Sequence, residues 1–341
     1  MASHVTYVKN LTIDGTELPA NTASLSRSAN MIDNSNFLTS ADGFSSRIVG
    51  LADWGVEAQG HLGNVQGYNA VLKTSGTATT LTTEATTKVS GKIYQITDAT
   101  KRVLDPDTAV VVSDGDGALE AGKIESIDYL FGIITLASNF TPNGSVTVSG
   151  KYLPMTVVAQ TNGGFSLEMT GNVLDATDRA TAQSNGGYKV NKIGLIDVSA
   201  QISRLDDLAM TYADLLLART PFILELTLAN GALMMRGWFV LGAANAEGEV
   251  SGLEMENLEF ALYGKTDINF GFVATAALND GIEALITKFF ARTAAAVTYL
   301  PDGTNGQGGD AYVSSMSISG DMDTETWSVS LVGAGALADE P

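Results

Sequence analysis

A segment of this chain occurs twice. Ser24-Leu25, Asn30 and Asp33 recur as Ser166-Leu167, Asn172 and Asp175, displaced by 142 positions (175 − 33). Gly43-Phe44 and Gly50-Leu51-Ala52-Asp53 then recur as Gly187-Tyr188 and Gly194-Leu195-Ile196-Asp197, displaced by 144 (194 − 50). The two extra residues fall between the matched stretches, where a loop absorbs insertions at little cost. One long duplication predicts two copies of a single domain that meet as neighbouring subunits do, which makes self-assembly the leading expectation.

Composition limits what those copies can be. In 341 residues there are 36 Gly, 7 Pro and no Cys, with 45% hydrophobic and 17% charged residues. That mixture predicts a globular, mainly β chain of short strands and tight turns, with no disulfide framework and no thiolate metal site. The opening Met1-Ala2-Ser3-His4-Val5 has no basic stretch followed by an apolar one, so folding in a reducing cytoplasm is expected. The most apolar run, Pro221 to Met235, is too short for a bilayer and carries Glu225, so no membrane helix is expected.

The formal net charge is −19, which argues against gripping nucleic acid, because that affinity comes from Lys and Arg displacing counterions. No Lys or Arg occurs from Thr293 to Pro341 or from Gly237 to Gly264, although both stretches carry several acids. The plain reading is a solvated acidic face that keeps the protein soluble.

Period-2 alternation predicts strands at Ala23–Ser26, Trp54–Gly60 and Val198–Ile202, with long polar loops over Asp33–Gly50 and Asp175–Gly194. Apolar residues at helical spacing predict helices over about 206–219 and 280–292. Each is followed by a strand, a turn at Asn230-Gly231 or Asp302-Gly303, and two more strands, which is a second, weaker duplication. The expected division is nested: residues 1–62 with 267–341 as one domain, 155–266 as its twin, and 63–154 as a small inserted β-domain; the rival division hides a degenerate copy of the C-terminal half-domain in 63–154. Within the insert, the Thr/Ser-rich run from Thr74 to Gly91 reads as an exposed linker and Asp128–Gly132 as a hairpin turn.

No catalytic constellation is evident, and no cofactor or metal site is expected. His4 and His61 have no nucleophile or carboxylate motif around them, and the glycine-rich 303–309 run has no Lys to meet a phosphate. Asp114-Gly115-Asp116-Gly117 and Asp321-Met322-Asp323-Thr324-Glu325 resemble calcium loops but lack required positions, so turns are the simpler reading.

The loop from Asp33 to Phe37, then Gly43-Phe44 and Arg47-Ile48-Val49-Gly50-Leu51-Ala52-Asp53-Trp54, resembles the opening of the tail tube (major tail) proteins of long-tailed bacteriophages. The closing strands, with Gly308-Gly309-Asp310-Ala311-Tyr312-Val313 and Leu331-Val332-Gly333-Ala334-Gly335, are similar to that family too. The second copy departs from the pattern, with Val198 in place of Trp54 and Asn191 in place of Arg47. The resemblance implies β-sandwich or barrel domains, each with a flanking helix, six of which form a ring that stacks into a DNA-conducting tube. Two domains per chain would give a homotrimeric, pseudo-hexameric ring (6 ÷ 2). It also implies a structural virion protein of the tail, assembled in the host cytoplasm beside other tail proteins, with DNA passing unbound.

On that reading the ring-stacking candidates are Asp33, Phe44, Gly50, Leu51 and Asp53, with Asp175, Tyr188, Gly194, Leu195 and Asp197 in the second copy. The candidates for an acidic bore are Glu254, Glu256, Asp321, Asp323 and Glu325. The rival expectation is an adhesive or carbohydrate-binding β-protein.

Overall fold

The computed structural model describes residues 11–35, 47–62, 71–160, 164–205, 217, 219, 221–247, 255–264, 269–320 and 324–340. It is mainly β, with its strands in two sheets, and divides into two compact units. The first comprises Met1–Tyr68, Phe165–Ala200 and Ala274–Pro341; the second comprises Asn69–Gly164 and Gln201–Val273. The outer segments thus share a unit, but residues 165–200 join them rather than 201–273, and 63–154 does not stand alone.

The first unit holds β1 (Leu11–Ile13), β2 (Thr16–Glu17), β3 (Thr22–Asp33), β4 (Arg47–His61), β14 (Phe165–Asp175) and β20 (Ala295–Tyr299). It also holds β21 (Gly306–Gly320), β22 (Glu325–Gly333), β23 (Ala338–Glu340) and β15 (Asn191–Leu205) as far as Ala200. Strand β3 pairs with β4, β4 with β22, β22 with β21, and β21 with β14, all antiparallel. Alternation then sorts the side chains by face. Ala58, Val329, Met316 and Met169 face one another in register and are all buried.

A helix, α2 (Asp280–Ala291), lies against β1, β2 and β21. It buries Ile282, Leu285, Ile286 and Phe289, the stripe its spacing predicts. Asn279 caps it by accepting from the Gly281 and Ile282 N–H groups at 2.9 and 3.3 Å. It ends at Arg292, which takes the left-handed conformation at φ 54°. The other expected helix, 206–219, lies outside the described residues apart from Leu217 and Arg219.

The second unit contains a seven-stranded sheet built from β6 (Thr79–Ser90), β7 (Ile93–Ile96), β8 (Val111–Asp114), β9 (Gly117–Ala118), β10 (Ile124–Asp128), β11 (Ile133–Leu136) and β12 (Thr147–Tyr152). Leu81, Ile96, Leu104, Val112, Ile134, Leu136, Val146 and Val148 form its core. The run read as a linker is therefore largely strand, since its many Thr residues favour extended backbone. The Asp128–Gly132 turn does join β10 to β11, with Gly132 at φ 60° and the Asp128 carboxylate accepting from the Leu130 and Phe131 N–H groups.

The other sheet strands of this unit are β5 (Val71–Ser75), β13 (Met155–Gln160), β16 (Phe222–Leu228), β17 (Leu233–Glu247), β18 (Met255–Leu262) and β19 (Phe270–Ala274). Strand β5, expected to belong to a separate insert, pairs with β16, and Val103, Leu130, Phe131 and Leu153 pack with Ile223 and Trp238.

A buried ionic row runs across these strands. Glu225, fully buried, is the register partner of both Lys73 on β5 and Arg236 on β17, and bonds to each. Arg236 donates to the Leu130 carbonyl at 2.7 Å and sits 5.0 Å over the Phe131 ring, so the turn closes onto the ion pair. Burial pushes the Asp128 carboxyl above its ordinary pKa, against the opposing pull of its two backbone hydrogen bonds and Arg236.

Removing one partner of such a row leaves an uncompensated buried charge. Glu225→Ala is expected to cost about 3–5 kcal/mol in denaturant unfolding, whereas the paired Glu225→Leu/Arg236→Met substitution should cost clearly less. Equal losses in the two proteins would contradict this.

Candidate functional site

The repeated segment folds as the same hairpin twice, β3–β4 and β14–β15. At the end of the first strand of each, the Asp carboxylate accepts from the backbone N–H two residues on: Ser35 to Asp33 at 2.8 Å and Thr177 to Asp175 at 2.9 Å. Hydrogen bonding to Ser35 and to Thr177 holds the two carboxyls below the usual carboxylate range.

Further along, a side chain at Gly50 would press on the Asn30 carbonyl and Ile32, and one at Gly194 on the Asn172 carbonyl and Leu174. Asp53 and Asp197 each accept from the next backbone N–H, that of Trp54 at 3.0 Å and of Val198 at 2.9 Å. Burial follows the same phase, with Trp54, Val56 and Ala58 matched by Val198, Ala200 and Ile202. The repeated letters therefore mark repeated backbone geometry.

The copies diverge in how their tips are connected. Arg47–Gly50, expected in a loop, is strand. Phe44 lies outside the described residues. The second connection carries a helix not expected from the sequence, α1 (Arg179–Ser184), capped by Asp178, whose carboxylate accepts from the Thr181 N–H while Thr181 Oγ1 accepts from the Asp178 N–H.

It then returns onto the first hairpin. The Ala52 N–H donates to the Gly187 carbonyl, the Lys189 N–H donates to the Ala52 carbonyl, and Lys189 Nζ lies 3.3 Å from Asp53 Oδ2. Asn191, standing in the place of Arg47, is buried and donates to the Gly333 carbonyl at 2.9 Å. Trp54 donates its indole N–H to the Gly335 carbonyl at 2.8 Å. Lys189 and Asn191 thus hold Asp53 in an intramolecular clasp, with Tyr188 bridged to Ala52 beside it, and the sequence signals this only weakly because the two partners lie 136 and 138 positions from Asp53.

Beyond the clasp, both hairpins carry apolar side chains into solvent. Met31, Ile32, Ile48 and Val49 are exposed on the first, and Val173, Leu174 and Leu195 on the second, Leu195 at 78%. Asp33, Asp175 and Asp197 are exposed beside them, while Gly50, Leu51 and Gly194 are half-buried. Clustered apolar exposure of this kind gains free energy when it is covered.

A second surface is the outward face of the β3–β4–β22–β21–β14 sheet. Thr22, Gln59, Ser328, Ser317 and Glu168 form one cross-strand row. Ser24, Glu57, Ser330, Ser315 and Thr170 form the next, and His61, Thr326, Ser319 and Ser166 a third. Hydroxyls pair across strands, Ser317 with Ser328 at 2.8 Å and Ser319 with Thr326 at 3.0 Å. The three rows contain no Lys or Arg. Two shallow troughs of about 420 and 320 Å³ run over this face. Ser alternates with apolar residues in β21 and β22, and strand pairing brings these Ser side chains onto one face.

The acidic-bore candidates fare differently. Glu325 is 3% exposed, in phase with buried Trp327, Val329 and Leu331, so it presents no charge to solvent and leaves the acidic set. Glu256 stands in β18 opposite Ala246. Glu254, Asp321 and Asp323 lie outside the described residues. Among the described residues no group of three or more metal-ligating side chains occurs, and no helix is long and apolar enough to cross a membrane. The Asp114–Gly117 run forms the turn between β8 and β9, its two carboxylates accepting from Asn143.

No protein-family model matches this chain, and no curated protein matches it.

The exposed tips and the buried clasp should separate cleanly in unfolding experiments. Val49→Asp and Leu195→Asp are expected to shift stability by no more than about 0.5 kcal/mol. Trp54→Ala should cost about 3–5 kcal/mol. A large loss at Val49 or Leu195 would place those side chains in the core.

Proposed function

We propose that this protein is a structural tail tube protein of a long-tailed bacteriophage, whose copies form rings that stack into a tube conducting DNA. The observation that carries the reading is the hairpin built twice in one chain, alike in strand phase, turn and glycine contacts, with apolar side chains exposed near each tip. Two equivalent modules per chain make three chains sufficient for a pseudo-sixfold ring (6 ÷ 2). Apolar tips on a repeated module supply the contact to the next ring, where their burial is favourable at roughly 25 cal/mol per Å².

The hydroxyl face supplies the bore. Its rows offer neutral donors and acceptors, two carboxylates and no Lys or Arg. DNA sliding past such a wall has no cation to neutralise its phosphates and no counterions to release, so it is held nowhere. This assigns the passage of DNA to a hydroxyl-lined sheet rather than to a dense acidic strip. The protein would act in the virion tail after assembly in the host cytoplasm, with other tail proteins as neighbours and no cofactor. The adhesive alternative requires a ligand to be retained, and the three rows carry no Trp, Tyr or Phe on which a sugar ring could stack.

Elongation tests the first part. Val49→Asp with Leu195→Asp should leave a folded chain by circular dichroism that forms no long tubes by electron microscopy, and tubes of ordinary length would refute the stacking role. Ejection tests the second. Ser317→Lys with Ser328→Lys should permit assembly but slow DNA ejection, with the slowing relieved at high salt. Unchanged ejection kinetics in assembled particles would remove this face from the bore.

A further inference from the structure

We infer that β3 of one copy pairs with the outer edge of β17, residues Ala243 to Glu247, of the next copy, reproducing between chains the pairing that β14 makes with β21 within one chain.

The first observation is an incomplete strand. β14 and β3 are the same strand of the repeated hairpin, yet β14 is paired on both edges, by β15 and β21, whereas β3 has only β4 among the described strands. Its 12 residues leave a long edge with no second strand, touched at one end where the Ala23 carbonyl accepts from the Tyr299 hydroxyl at 3.3 Å. The consequence shows in burial: Leu167 is 0% exposed under its second neighbour, while its counterpart Leu25 is only half-buried. An open edge of this length pairs with other chains unless something covers it.

The second observation is an edge without its strand. β16–β17–β18 repeats β20–β21–β22, down to a bulge at the same place, between Leu241 and Ala243 opposite β18 and between Val313 and Ser315 opposite β22. The two are offset by 72 positions (315 − 243). Beyond the bulge, β21 holds β22 on one edge and β14 on the other. In β17, β18 holds the first edge, β16 stops at Phe239 and β19 enters beside Trp238. The edge corresponding to the β14 site therefore has no described strand on it.

One bare strand and one bare edge are the two halves of a pair the chain already makes once. Transferring its register gives the partners. Ser166 with Ser319 becomes Ser24 (166 − 142) with Glu247 (319 − 72), and Glu168 with Ser317 becomes Ser26 with Asn245. Met169 with Met316 becomes Arg27 with Ala244, where the small residue leaves room for the longer side chain. The two surfaces differ, so the contact is head-to-tail and closes into a ring when the rotation between copies permits. The inference rests on the self-assembly part of the reading above and is independent of what the tube carries.

The chain has no cysteine, so engineered pairs report cleanly. Chains carrying Ser26→Cys are mixed with chains carrying Asn245→Cys, rings are formed, and the mixture is oxidised with copper phenanthroline. Directly opposed strand residues have Cα atoms about 4.5–5.5 Å apart, within disulfide reach. The expected product is a two-chain species that is lost on reduction. It is also lost when Arg27→Cys replaces Ser26→Cys, because a step of one residue turns the side chain to the other face. Rings seen by electron microscopy without the cross-link overturn this pairing and leave the tail tube reading standing. Chains that form no ring and no cross-link, even with tail components present, overturn both.

Discussion

Everything in the first unit depends on the period-2 register that β4, β22, β21 and β14 hold against one another. With that register Ala58, Val329, Met316 and Met169 stack inward while Gln59, Ser328, Ser317 and Glu168 stack outward. A slip of one residue in any strand would bury hydroxyls and expose the apolar row, so core and face specify each other. The clasp fixes the register from outside the sheet. Trp54 packs where side chains on Gly309 or Gly333 would collide with its ring, and Asn191 ties the returning connection to the Gly333 carbonyl.

The two duplications have been kept in backbone geometry and released in chemistry. Lys73, Glu225 and Arg236 form a charged row across β5, β16 and β17, and the corresponding row across β1, β20 and β21 is Thr12, Thr298 and Gly308. Strand β5, from the region expected to be a separate insert, thus occupies beside β16 the place that β1 occupies beside β20. The buried ions in the first of these rows are tolerable because each has a partner in register and Arg236 has the Leu130 carbonyl as well. A half-made version would be worse than the neutral row.

The hydroxyls of the outward face are largely self-sufficient. Ser and Thr on adjacent strands satisfy one another, as Ser317 and Ser328 do, so the face needs no bound partner to meet its hydrogen-bonding demand. The rows hold no Lys or Arg, and their charged members are the carboxylates Glu57 and Glu168. The apolar hairpin tips are different, since exposed Leu195 and Val49 gain free energy from being covered. The same sheet therefore offers one surface whose hydrogen bonding is met internally and one whose apolar groups gain from being covered.

The sequence by itself determined the mainly β character, the twofold repeat, a helix over about 280–292 and the turns at Asp128 and Asp114, because each follows from recurrence, local alternation, spacing or turn chemistry. It also marked Asp33, Asp53, Asp175 and Asp197 as special, and their shared backbone caps give the reason. Only the tertiary structure decided that Glu325 is buried, that Asp53 is engaged by Lys189 and Asn191, and that Ser and Thr residues from four strands share one face with Glu57, Gln59 and His61 of β4. It likewise decided that β5 belongs with β16 and that residues 165–200 join the outer segments. Those are outcomes of strand pairing between positions more than a hundred residues apart, where register is chosen by what can be buried together and no local pattern records the partner.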